Sequence, residues 1–156
     1  MSLPTENVQS YPRPPALEPA PYRIEVIFGG QTIVDTLGAL RVLETHHPPT
    51  YYLPRADITA ELVAAAGRSF CEWKGAASYF DLRVGDQTAA RAAWTYETPT
   101  QGFRNLAGMV AIYPAMMETC RVAGVTVIPQ AGDFYGGWWT PNLTGSPKGA
   151  RGTEHW

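Results

Sequence analysis

Glycine and proline interrupt this chain so often that little of it has room to become a helix. The 156 residues include 15 glycines and 14 prolines, and the runs between them are short and rich in β-branched and aromatic residues. Proline removes a backbone donor and fixes φ, while glycine supplies the positive-φ corners of tight turns. Such punctuation between short alternating runs argues for an all-β sheet or open barrel.

Residues 1–21 hold six prolines and few apolar anchors, so they read as an extended arm, flexible or laid across the rest. Residues 22–156 read as a single domain. Ile24, Val26 and Phe28 alternate with Arg23, Glu25 and Ile27 up to Gly29-Gly30, a hairpin turn from which 32–36 returns. A β-like run covers 39–45, and 50–53 is a short strand stopped by Pro54. His46-His47-Pro48-Pro49 is expected to be extended, because each proline restricts its predecessor. One short helix is predicted: Thr59 caps the helix formers at 60–66 and Gly67 ends them. Strands follow at 69–74, 77–84 and 88–96, with Gly85-Asp86 turning the second into the third. Another apolar run covers 106–113, and 121–127 is a hairpin through Ala123-Gly124. Residues 130–156 form a glycine- and aromatic-rich strap, since Phe134, Tyr135, Trp138 and Trp139 need burial.

A net charge of −2, a charged fraction of 17% and the lack of a basic run give no electrostatic footprint for nucleic acid or an anionic membrane. No apolar run approaches the roughly 20 residues that span a bilayer, and the N-terminus lacks a signal-peptide pattern. The expectation is a cytoplasmic monomer without nucleic-acid or membrane partners. Cys71 and Cys120 form no C-x-x-C pair, which excludes a cysteine zinc knuckle built from this chain. They read as small buried hydrophobes in a reducing compartment. His46 and His47 face opposite ways on a strand, and His155 reads as solvated. Neither a metal nor another cofactor is expected, and nucleophile-elbow, zincin, Walker A and dinucleotide fingerprints are missing.

Two lysines stand against ten arginines. A lysine kept in such a background suggests a compact ammonium that a planar guanidinium cannot replace. On a strand at 69–74, Phe70, Glu72 and Lys74 share one face while Cys71 and Trp73 share the other. Glu72 and Lys74 then stand about 6–7 Å apart. On an open face they form an ordinary ion pair; inside a cavity they form a poised acid–base or anion-binding couple. Cys71 is a candidate nucleophile only if a base or cation stands nearby. Ten amphipathic aromatics, among them Tyr51, Tyr52, Trp94 and Tyr96, suit a core or an aromatic-lined pocket. Gly145-Ser146-Pro147-Lys148-Gly149 has a proline where a phosphate loop needs an amide.

Several stretches, taken in order, form a signature. They are His47-Pro48-Pro49-Thr50-Tyr51-Tyr52-Leu53-Pro54-Arg55, Cys71-Glu72-Trp73-Lys74-Gly75-Ala76-Ala77-Ser78-Tyr79, Ala93-Trp94-Thr95-Tyr96 and Val110-Ala111-Ile112-Tyr113-Pro114. Gly132-Asp133-Phe134-Tyr135-Gly136-Gly137-Trp138 through Lys148-Gly149 completes it. The chain resembles the domain of unknown function 427 family over roughly residues 22–156. The resemblance implies a mainly β fold of the β-tent type, two small antiparallel sheets meeting at an angle over a cavity, without the zinc of several other β-tent families. A nucleotidyltransferase-like label is attached to the family in places, but this sequence offers no carboxylate pair for magnesium and no phosphate cradle. The family's last motif reads Gly-Pro-Phe-Lys-Gly. Here the phenylalanine is lost and Lys148 is kept, as a candidate lid residue.

In such a fold the expected function is binding of a small, partly apolar molecule. The expected walls are Tyr52, Trp73, Tyr79, Trp94, Tyr96, Tyr113, Tyr135 and Trp138, with polar contacts from Arg55, Glu72 and Lys74. One opposing reading is an enzyme using Lys74 or Glu72 as acid–base, or Lys74 as a Schiff base. Another is an interaction module that docks a partner through the proline-rich arm.

Overall fold

The computed structural model describes residues 3–71, 73–130 and 136–147. Its strands in chain order are β1 (Glu6–Asn7), β2 (Ala16–Pro19), β3 (Ile24–Phe28), β4 (Gln31–Thr36), β5 (Leu40–Leu43), β6 (Thr50–Tyr52), β7 (Glu61–Cys71) and β8 (Gly75–Val84). There follow β9 (Gln87–Thr95), β10 (Val110–Ile112), β11 (Thr119–Val122), β12 (Val125–Thr126), β13 (Ile128–Pro129), β14 (Trp138–Trp139) and β15 (Leu143–Thr144). Three sheets carry the fold, with strand orders β12-β11-β3-β4, β10-β9-β8-β7 and β2-β5-β6. Their pairings are antiparallel. Two-residue ladders join β13 to β14 and, in parallel, β1 to β15.

The glycine punctuation works as the sequence predicts in the tight hairpins. Phe28 pairs with Gln31 across Gly29 (φ 62°) and Gly30 (φ 73°), a turn whose two positive-φ corners match the strand twist. Val122 pairs with Val125 across Ala123 (φ 51°) and Gly124 (φ 77°) in the same way.

Strands β8, β9 and β10 of the β10-β9-β8-β7 sheet bury residues on both faces, and strand alternation deals them to two different cores. Phe80 and Leu82 of β8, Ala89 and Ala93 of β9, and Val110 and Ile112 of β10 join Ile24, Val26 and Val34 in the first core. Ala77, Tyr79, Trp94 and Ala111 face the other way, with Tyr96 just beyond β9, and build the second core. The segment at β6 splits likewise: Tyr51 and Leu53 enter the first core and Tyr52 the second. Reciprocal hydrogen bonds between Leu53 and Val110, of 2.8 and 3.0 Å, lock β6 to β10. The second core thus lies between the central sheet and the β2-β5-β6 sheet.

Two expectations are corrected. Residues 60–66 do not form a helix; 61–66 belong to β7, which pairs with β8 from Glu61↔Arg83 to Cys71↔Gly75. A two-turn helix is marginal by itself, and a long pairing partner overrides its propensity. Gly67 (φ 93°) is not a helix cap but the corner of a bulge where the register jumps between Ala65 and Arg68. The longest helical segment among the described residues is the 3₁₀ stretch Gln101–Leu106. Nor is 46–49 uniformly extended. His46 takes φ 70° and the His47 amide donates to the Glu44 carbonyl at 3.0 Å, closing a turn. The pre-proline restriction acts on His47 and Pro48, and His46, one residue further back, escapes it.

The proline-rich arm is laid across the domain. β2 pairs with β5 from Ala16↔Leu43 to Pro19↔Leu40, and Val8, fully buried, packs with Tyr11, Leu43 and Leu143 in a third small core. Arg41 of β5, 8% exposed, gathers the arm's acids. Its guanidinium donates to Glu6 at 2.9 and 3.1 Å and to Glu18 at 2.8 Å, while the Tyr11 hydroxyl donates to Glu6 at 2.6 Å.

Candidate functional site

The site is built on the turn from β7 to β8. The sequence carries strand alternation through Lys74, but β7 ends at Cys71, and Trp73 and Lys74 lie in the turn. The shared face expected for Phe70, Glu72 and Lys74 therefore does not extend to Lys74, and Glu72 lies outside the described residues. Gly75 closes the turn at φ 106°, and a Cβ there would meet the Thr98 carbonyl at 3.5 Å. Thr100 pins the turn from across, its amide donating to the Lys74 carbonyl at 3.0 Å and its hydroxyl to the Trp73 carbonyl at 2.5 Å. Because φ above zero is unfavourable for any residue with a Cβ, Gly75→Ala is expected to lower stability by about 2 kcal/mol. Chemical denaturation checks this, and an unchanged midpoint would mean that the turn does not hold this geometry.

So anchored, Lys74 is 9% exposed. Its Nζ lies 5.9 Å from the centre of the Tyr96 ring and 6.0 Å from that of Phe103. Among the described residues no carboxylate forms a salt bridge with it. Taking an ammonium out of water costs several kcal/mol, and ring faces offset about 0.5–2 kcal/mol each. Among the described residues the cation is held by rings and has no anion paired with it.

From Tyr96 the aromatic wall continues. The Tyr52 ring lies 6.3 Å from Tyr96 and 6.3 Å from Trp94, and Trp94 lies 4.4 Å from Tyr113. Alternation on β9 puts Trp94 and Tyr96 on one face, as the sequence predicts. Gly136 presses its backbone on the far side of Trp94, where a Cβ would overlap the indole. Tyr79 stands opposite Trp94 in the β8–β9 register; its hydroxyl is 2.7 Å from Ser69 Oγ and its ring lies 4.1 Å beneath the Arg91 guanidinium. Burial raises the phenols of Tyr52 and Tyr96 well above their ordinary range. Burial, with the nearby Tyr79 adding to it, pushes Tyr113 up to about 12. At neutral pH these three hydroxyls are neutral hydrogen-bonding groups, not phenolate bases.

The other end is polar. Gln130, 6% exposed, places Nε2 3.1 Å from His47 Nδ1 and accepts from the Gly137 amide at 3.2 Å. His47 Nε2 is 4.0 Å from a Glu44 carboxylate oxygen. These groups and the aromatic wall enclose a pocket of about 400 Å³, within the range of small-molecule sites.

Of the expected site residues, Tyr52, Trp73, Lys74 and Tyr79 line this pocket, as do Trp94, Tyr96, Tyr113 and the half-buried Cys71. Two stand elsewhere. Trp138 is fully buried in the first core, 5.2 Å from the Tyr51 ring, with Nε1 donating to the Ile112 carbonyl at 3.2 Å. Arg55 is exposed and lies 5.0 Å over the ring of Phe80, a first-core residue. Glu72, Tyr135 and Lys148 fall outside the described residues. Glu44, His47, Ser69 and Gln130 also line the pocket and were not expected. The only sequence signal for them is the His47-Pro48-Pro49 stretch. Cys120 lies in the first core, where burial pushes its thiol up to about 12. Among the described residues no three His, Cys, Asp or Glu side chains gather as a metal site requires.

A family model described as a domain of unknown function, DUF427, matches residues 16–123. The chain belongs to the DUF427 family. No curated protein matches it. The DUF427 match takes in β2 to β11 and so most of the pocket, including the Lys74 turn and the aromatic wall. Gln130 and Gly136 lie beyond the matched residues.

Proposed function

We propose that this DUF427 domain binds a small, partly apolar molecule in the pocket between the central sheet and β5-β6. The observation that carries the reading is the convergence of Tyr52, Trp94, Tyr96 and Tyr113 on one 400 Å³ space that also holds a mostly buried lysine. A core that used these rings only for packing would close that space, since interiors fill to crystal-like density. Native mass spectrometry of the protein purified from its own host is expected to show a retained small molecule. Thr50→Trp, which fills the pocket from β6, is expected to lose it. An adduct that survives Thr50→Trp, or no adduct on either protein, counts against the reading.

The Schiff-base reading of Lys74 requires a group beside it to move protons, and no described side chain hydrogen-bonds to its Nζ. Borohydride trapping with a panel of carbonyl compounds remains its test. The arm-docking reading has less support, because the arm is already packed on its own domain, with β2 paired to β5 and Val8 buried.

A further inference from the structure

We propose that the molecule this pocket accepts is an apolar-bodied monocarboxylate, with its carboxylate against Lys74 and its body along the Tyr96–Tyr52–Trp94 wall. The inference rests on the pocket being a small-molecule site and adds which class of molecule enters it. Three observations carry it.

The first is a charge with no counter-ion among the described residues. Lys74 is mostly buried, stands between two ring faces and has no carboxylate among the described residues. A buried cation calls for an anion, and the pocket that Lys74 lines is where one has access. The second is polarity along the pocket. The described carboxylate on its lining, Glu44, stands by His47 and Gln130. Ring and backbone contacts order the path from Lys74 through Tyr96, Tyr52 and Trp94 to Gly136. From there Gly137 leads to Gln130 and His47. A negative group is therefore favoured at the lysine end and disfavoured at the Glu44 end.

The third observation selects the kind of anion. No arginine is among the described residues that line the pocket, so the planar fork that grips phosphate or sulfate through paired donors is missing. Lys74 lies in the turn between β7 and β8, not at the start of a helix. One compact ammonium balances one negative charge. The rings beside it stack on an unsaturated or aliphatic body at little entropic cost.

Isothermal titration calorimetry with three probes of one size tests this: 4-phenylbutanoate, 4-phenylbutan-1-ol and 4-phenylbutan-1-amine. The carboxylate is expected to bind at least about tenfold more tightly than the alcohol, as a charge-assisted contact does, and the amine more weakly than either. Lys74→Gln, its fold verified by circular dichroism, is expected to erase the gap between carboxylate and alcohol while leaving the alcohol within about threefold. An alcohol or amine that matches the carboxylate in the unaltered protein overturns the class and leaves pocket binding standing. A gap that persists in Lys74→Gln overturns the assignment to Lys74. Silence from all three probes overturns the carboxylate proposal and leaves pocket binding to be decided by the mass-spectrometry experiment. The comparison among probes needs no variant, so the proposal stays exposed even where Lys74→Gln does not fold.

Discussion

Arg41→Met is expected to destabilise the domain by about 2–3 kcal/mol at neutral pH, and to do so much less in acid. The side chain of Arg41 is 9% exposed, whereas those of Glu6 and Glu18 are 21% and 44% exposed. Methionine fills a similar volume but leaves two carboxylates facing each other without their cation. Removing one member of a fully buried pair costs about 3–5 kcal/mol. The smaller figure applies here because both acids reach water. The pH dependence follows from Glu6. Burial raises its carboxyl, but the hydrogen bonds from Arg41 and Tyr11 outweigh burial and hold it below the ordinary carboxylate value. A depressed carboxyl contributes stability that is fully present above its unfolded value and is lost as pH falls through the folded one. Urea titrations of both proteins at neutral pH and at about pH 3 therefore converge towards the acid end. A gap of the same size at both pH values would mean that Arg41 acts through packing alone. The same experiment bears on the arm. If Glu6 and Glu18 staple it to β5, the variant loosens residues 3–21 first, which hydrogen exchange in β2 reports.

What was legible in the sequence depended on how local each signal is. The β3–β4 hairpin needs only alternation and two glycines, all within a dozen residues, and it reads directly. β7 does not, because what makes it a strand is β8, and Ala60-Glu61-Leu62-Val63-Ala64-Ala65-Ala66 carries local helix propensity. The arm reads as extended, but the sequence leaves open whether it is flexible or laid across the domain, for a related reason. Its prolines break any period, yet Pro19 sits at the end of β2, where a missing donor does least harm. In the site, residue types read well and faces less so. Tyr51 and Tyr52 look alike in sequence, and only the register with β5 and the link to Val110 send one to each core. Lys74 reaches the pocket by way of a turn and not by strand alternation, so the right residue followed from an incomplete geometry. Gln130 meets His47, and Glu44 beside it, across a sequence separation of 83, and no local pattern marks such a meeting.

Trp138→Ala is expected to be the most damaging single substitution, with a loss of about 3–5 kcal/mol. The indole is fully buried, touches Tyr51 at 5.2 Å and closes the first core from the C-terminal strap. Alanine removes the largest side chain there and leaves a cavity, and the Ile112 carbonyl loses the donor that reaches it at 3.2 Å. Against a typical total of about 5–15 kcal/mol, such a loss takes a large share of the stability, so Trp138→Phe is the better instrument for function. Phenylalanine keeps most of the packing and gives up the hydrogen bond, at about 1–2 kcal/mol. Because Trp138 faces the first core and the pocket lies over the second, the affinity of Trp138→Phe for 4-phenylbutanoate should stay within about threefold of the unaltered protein. Denaturation and calorimetry on one sample separate the two effects. A variant that keeps its stability but loses the probe would return Trp138 to the pocket wall, where the sequence placed it. One that loses stability and keeps the probe assigns the tryptophan to the structural core and leaves recognition to Lys74 and the rings of the second core.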